Sequence, residues 1–288
     1  MDGPASILRC ADCAGQYRIT DGIPRLVMPQ NEEPFARSCA RYDALRLNEG
    51  WASEMPGFYQ HLPFRDLSGR HPREWRLRAQ SFRVVQCWLE RTFGQRRVRV
   101  LDAGAGSSWM SRCLAERYEV LGVDVNAGPH GLAALPPEER RFLAMQGTLE
   151  RLPLADGCLD VVIANASFHY TREPQRRFAE AHRVLKPGSW LIVMDSPTYP
   201  TQAAVDRAHE RTRVYYANMG MSELAEYYTG FTASLFSDMP SFRFQRLRRD
   251  LSWGELMKKW IRETLGRSVG ARFPIWIGIT DGTEGKNG

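Results

Sequence analysis

No apolar run in this chain approaches the ~20 residues that a helix needs to cross a bilayer, so no membrane span is expected. The opening MDGPASILRCADC has no basic stretch leading into an apolar one, which predicts a cytoplasmic protein. Lysine is nearly missing: it occurs only at Lys186, Lys258, Lys259 and Lys286, so arginine carries almost all the positive charge. The net charge of +6 is spread along the chain rather than gathered in a tail, which argues against a dedicated nucleic-acid arm. The cysteines at 10, 13, 39, 87, 113 and 158 are too scattered for a disulfide framework, and a reducing compartment is the simpler reading. Cys10 and Cys13 form one CxxC, but no second CxxC or CxxH completes a tetrahedral zinc site, so no bound metal is expected.

What is present is ordinary for a soluble enzyme: 288 residues, 43% hydrophobic and 25% charged, enough to bury a sizeable core. Composition divides the chain into a small module over 1–30, a Pro-, Gly- and aromatic-rich linker over 31–72 with short helical pieces, and a main domain over 73–281. From Arg73 to Phe93, Trp75, Leu77, Phe82, Val85, Trp88, Leu89 and Phe93 recur at helical intervals, predicting an amphipathic helix that ends near Gly94. Strand and helix signals then alternate: VRVLDAG, helix SWMSRCLAERY, EVLGVDV, loop GPHGLAALPPEER, FLAMQG, CLDVVIANA, helix PQRRFAEAHRVL, SWLIVMDS. Apolar strands alternating with helices predict a parallel sheet covered on both faces, an α/β class. A helical, tyrosine-rich insert over about 197–236 follows. FRFQRLRR and FPIWIGIT read as two later strands separated by a helical WGELMKKWIRETLG, and the tail DGTEGKNG reads as disordered.

The strand VRVLD runs into Gly104 and Gly106, where the backbone can take positive φ or approach a ligand closely. A dinucleotide fingerprint would need a third glycine at 109, and Trp109 stands there, which disfavours a hydride cofactor. Asp102 precedes the turn, so its carboxylate lies beside the mouth, where it would attract an ammonium such as that of S-adenosylmethionine (SAM). Asp124 ends the next strand, where a carboxylate accepts both ribose hydroxyls; an aspartate that merely caps the following loop has the same signature.

VLDAGAGSSW, then GVDVN, then LPLADGCLDVVIANASFHY, then RVLKPGSWLIVMD resembles the class I SAM-dependent methyltransferases, specifically the methyltransferase type 11-like group. The resemblance covers roughly 73–195. It implies a Rossmann-like, mostly parallel seven-stranded sheet with helices on both faces, completed by the last two strands, with a small N-terminal module and a helical cap. It places Asp102, Gly104 and Gly106 at the methionine part of SAM, Asp124 at the ribose and Val125 on the adenine face. Where relatives carry an aspartate for the adenine amino group, GTLERLPL supplies Thr148 and Leu149, and Ser107 replaces a frequent third close glycine. Arg78 is the candidate partner of the SAM carboxylate, with a solvated arginine on the polar helix face as the alternative. CADCAGQYRITDGIPRLV resembles zinc-ribbon-like modules that precede some of these enzymes, here as a metal-free remnant.

ANASFHY follows a strand at the carboxyl edge of the sheet, where open α/β proteins bind ligands. Asn165 is placed against the cofactor, and His169 and Tyr170 toward an acceptor. His169 is the candidate catalytic base, with acceptor positioning or packing as the other roles. Asp160, at the opposite end of that strand, reads as structural, and Lys186, Pro187 and Gly188 as a turn. The expected function is methyl transfer from SAM to a small organic acceptor beneath an aromatic cap. The alternatives are an RNA methyltransferase and a SAM-binding scaffold without catalysis.

Overall fold

The computed structural model describes residues 6–11, 14–27, 32–248 and 270–281. Cys13, the segment WGELMKKWIRETLG and the tail from Gly282 lie outside the described residues.

The chain opens with a small antiparallel sheet of β1 (Ser6–Arg9), β2 (Gln16–Thr20) and β3 (Ile23–Pro24). It docks on the main sheet through Ile23, fully buried in the core, and a parallel bridge between Arg25 and Gln146. Next comes α1 (Glu32–Glu49), an 18-residue helix where only short helical pieces are expected from the sequence. The short α2 (Phe58–His61) and the long α3 (Pro72–Phe93) follow. Pro72 starts α3 with the fixed φ that suits a first turn, and Gly94 ends it at φ 56 while its N–H reaches the Glu90 carbonyl. The face carrying Trp75, Phe82, Val85, Leu89 and Phe93 is buried, as its period predicts.

The main domain alternates β4 (Arg99–Ala103), α4 (Trp109–Leu114), β5 (Glu119–Asp124), β6 (Leu143–Gln146), β7 (Leu159–Asn165), α5 (Pro174–Val184) and β8 (Leu185–Met194). After β8 come β9 (Thr198–Tyr199), α6 (Gln202–Asn218), α7 (Ser222–Ala225), β10 (Phe231–Thr232), α8 (Ser234–Ser237), β11 (Phe242–Leu247) and β12 (Ile275–Thr280). The seven-stranded sheet has the order β11-β12-β8-β7-β4-β5-β6, with β4 to β8 parallel and β12 antiparallel to both of its neighbours. Strands that are buried on both faces read as continuous apolar runs. Val161 and Ile163 of β7 pack with α3 and α4, whereas Val162 and Ala164 pack with Phe178 and Ala181 of α5.

Two local expectations change. The helix read from SWMSRCLAERY is only six residues long, and Ser108 enters it in the left-handed region at φ 60. Lys186, Pro187 and Gly188 lie inside β8 rather than before it, in a stretch where the pairing with β7 shifts register and Gly188 takes φ 71. Asp160 is structural, as anticipated: it accepts from the Arg99 N–H at 2.8 Å and from Lys186 Nζ at 2.6 Å.

Candidate active site

A cavity of about 940 Å³ opens over the carboxyl ends of β4, β5, β7 and β8. The chain runs outward through β5 and β6 on one side of β4, then returns to β7 and β8 on the other, so this is the switch point of the sheet. The volume is near the upper end of small-molecule pockets, roughly 300–1,000 Å³, leaving room for two ligands side by side.

In one half, β4 delivers Asp102 to the floor. Its carboxylate is buried and accepts from Ser111 Oγ at 2.7 Å, and burial pushes its pKa up to about 7, opposed by the Ser111 hydrogen bond. Gly104 holds φ +80, and a Cβ there would lie 2.3 Å from the Ser167 Cβ, so only glycine fits. A Cβ at Gly106 would meet nothing within 4 Å, which leaves its backbone bare toward the cavity. Asp124 caps the loop that follows it and also holds the glycine turn. Oδ1 accepts from the Asn126 N–H at 2.7 Å and caps the loop; Oδ2 accepts from the Gly106 N–H at 2.8 Å. A carboxylate has about four lone-pair sites, so both oxygens retain capacity for hydroxyl donors. Burial raises its pKa, and the two backbone N–H groups oppose that shift.

Val125, 41% exposed, stands on the cavity wall beyond Asp124, its carbonyl held by Gln146 Nε2 at 2.9 Å. Thr148 and Leu149 line the same wall from the loop after β6. Arg78 projects from α3 into the cavity with its guanidinium 4.6 Å from the ring centre of Trp51 and 4.7 Å from that of Trp75. Burial lowers its pKa and Asp195 opposes the shift. Asn165 closes the set: its Oδ1 is buried at the end of β7 with no partner among the described residues, an acceptor that awaits a donor.

The other half is aromatic. His169 is buried, with Nδ1 3.3 Å from Ser196 Oγ, its ring 4.3 Å from that of Tyr170 and 5.4 Å from that of Tyr228. Burial, reinforced by Arg46, Arg177 and Arg78, pushes its pKa down to about 3, so the imidazole is neutral at pH 7. Tyr42 and Arg46 come from α1, Tyr170 from the loop after β7, and Tyr199, Tyr216, Tyr227 and Tyr228 from the insert. The insert clamps onto α1: Arg41 Nη1 donates to Glu223 at 2.8 Å, and Tyr215 donates to Glu49. Leu45, Tyr216, Met221 and Ala225 pack together between them.

All ten residues singled out in the sequence, Arg78, Asp102, Gly104, Gly106, Asp124, Val125, Thr148, Leu149, Asn165 and His169, line this one cavity. Sequence reasoning passed over Tyr42, Arg46, Trp51 and Arg177. The first two had a signal: Phe35, Cys39, Tyr42, Arg46 and Glu49 recur at steps of four and three, one helical stripe of mixed polarity. Among the described residues no group of three or more His, Cys, Asp or Glu is arranged to hold a metal.

The family model described as "Methyltransferase domain" matches residues 101–193. The ubiquinone/menaquinone biosynthesis C-methyltransferase of Syntrophotalea carbinolica is 34% identical over 120 residues, 39% of this chain and 51% of that protein. A malonyl-[acyl-carrier protein] O-methyltransferase of Coxiella burnetii is 33% identical over 96 residues, 32% of each chain. The chain thus spans about half or less of the length of these curated relatives. Among solved structures, the YcgJ protein of Bacillus subtilis superposes with a TM-score of 0.51 at 17% identity, covering 69% of this chain and 98% of that one, a likeness of fold. Residues 101–193 therefore match a methyltransferase domain, and the chain shares a Rossmann-like fold with YcgJ.

Proposed function

We propose that the chain binds SAM and transfers its methyl group to a small organic acceptor. The observation that carries this reading is the polarity of the cofactor half. A carboxylate organised by the Gly106 and Asn126 N–H groups stands at one end, and a guanidinium in contact with two indole rings, Arg78, at the other. A ligand with a ribose diol at one end and a carboxylate at the other matches both. Asp102 and the Asn165 Oδ1 supply acceptors for its ammonium group. Bound there, SAM supplies a methyl on a sulfonium, an excellent leaving group for in-line displacement.

The residues of the chain then have two tasks, to hold an acceptor in line and to keep water out. The aromatic half and the clamp between α1 and the insert serve both. His169, neutral with a pKa near 3, is too weak a base to take a proton at pH 7, so its role in this reading is to orient the acceptor. The clamp also favours a small acceptor over RNA, which would need an open basic groove.

Radiolabelled SAM incubated with the protein and a fractionated cell extract tests the reading. Label in a low-mass fraction is the expected result. Nuclease-sensitive label would replace it with RNA methylation, and binding without transfer to any fraction would replace it with a SAM-binding scaffold.

A further inference from the structure

The acceptor half is built around one guanidinium. Arg46 Nη1 donates to Glu49 Oε2 at 2.8 Å; Nη2 donates to the Tyr42 hydroxyl at 2.6 Å and to the Tyr170 hydroxyl at 2.9 Å. Tyr42, Arg46 and Glu49 stand four and three residues apart on α1, so one helix face presents the whole group. The guanidinium carbon lies 4.7 Å from the centre of the Tyr42 ring. A cluster of tyrosine faces is the usual receptor for a cation. Here the chain's own arginine fills that slot.

The donor inventory follows. A phenol has one O–H to give and two lone pairs to receive with. Tyr42 and Tyr170 each spend a lone pair on Arg46, which leaves each phenol its O–H to give and a single lone pair, and Arg46 itself has no acceptor atom. Burial pushes the Tyr42 and Tyr216 phenols well above their ordinary range, so they keep their protons at neutral pH. His169, neutral and weakly basic, is no better placed than these two phenols to take a proton from a bound acceptor.

We propose that the methyl acceptor is an aromatic or otherwise planar molecule bearing an anionic oxygen, a carboxylate, enolate or acidic phenolate, that lodges against the Tyr42 and Tyr170 hydroxyls backed by Arg46. Its flat body stacks among His169, Tyr216 and Tyr228, and its charge arrives with it. A cationic amine of the same shape meets the Arg46 guanidinium, and each phenol has only a single lone pair to offer it. The proposal rests on the SAM-binding reading given above, because it concerns the half of the cavity that SAM leaves open.

The test uses a matched pair, benzoate and benzylamine, titrated into the full-length protein saturated with S-adenosylhomocysteine and followed by NMR. Saturation occupies Arg78, so benzoate cannot report on the cofactor's own carboxylate site. Benzoate is expected to bind on the order of tenfold more tightly than benzylamine, the worth of one charge-assisted hydrogen bond. Tyr42→Phe, which keeps the ring and removes one donor, should erase most of that preference while leaving S-adenosylhomocysteine affinity unchanged. Benzylamine binding as tightly as benzoate, neither compound binding to the saturated protein, or a preference untouched by Tyr42→Phe would overturn the proposal. A protein that does not take up S-adenosylhomocysteine at all would overturn the SAM reading itself.

Discussion

Asp102 is the residue whose chemistry is most exposed to measurement. Its pKa in the fold is about 7, whereas an unfolded aspartate titrates near ~3.9. Between those values the folded chain holds a proton that the unfolded chain has released, so this residue lowers stability as pH rises from about 4 to about 7. A cation lodged beside it reverses the preference. SAM binding at pH 6 to 7 should therefore expel a proton, visible as a buffer-dependent heat in calorimetry, and Asp102→Asn should abolish it; equal heats in buffers of different ionisation enthalpy would refute the contact. His169 carries the opposite expectation. A neutral orienting ring predicts that His169→Gln keeps turnover within about tenfold, whereas a loss of roughly 10²–10⁴ would restore it as the base. At Gly104, the 2.3 Å approach of Ser167 and φ +80 together predict that Gly104→Ala costs about 2 kcal/mol or more in a denaturant melt.

At the scale of elements, the loops at the carboxyl edge are held in register by a buried arginine of α5. Arg177 Nε donates to Glu150 at 2.8 Å, beside Thr148 and Leu149. Nη1 donates to the Ser167 carbonyl at 2.8 Å, and Nη2 donates to the Tyr170 carbonyl. Ser167 in turn donates its hydroxyl to Ala103 O at 2.5 Å, just before the glycine turn. One planar fork thus couples the loop after β6, the loop after β7 and the glycine turn. Arg177→Met should weaken SAM binding by on the order of tenfold, with little recovery in Arg177→Lys, which restores charge without the fork; unchanged affinity in both would show that the loops hold themselves. Asp102, Asp124 and Asn165 were legible in the sequence as residues of one cavity because they sit at or near strand ends, where apolar runs stop at fixed places. α1 was not, because its inner stripe faces a cavity rather than the core. Phe35, Cys39, Tyr42 and Arg46 keep the helical period but not its apolar character, so a search for buried faces passes over them. Arg177 was hidden for a related reason: its partners are two backbone carbonyls and a glutamate distant in sequence, and no spacing rule announces them.

Across the whole molecule, the strand order fixed by parallel β4 to β8 places the half with Asp102 and Asp124, the proposed cofactor half, beside the tyrosine half above one edge. Everything chemical depends on the cofactor half being what its polarity indicates. Isothermal titration of SAM into the full-length protein, beside Asp124→Ala and Arg78→Met, is the most direct test. The account predicts one binding site in the unmodified chain, with affinity falling by about tenfold or more in each variant as a charge-assisted contact is lost at opposite ends of the ligand. No heat of binding, or equal affinity in all three proteins, would contradict it.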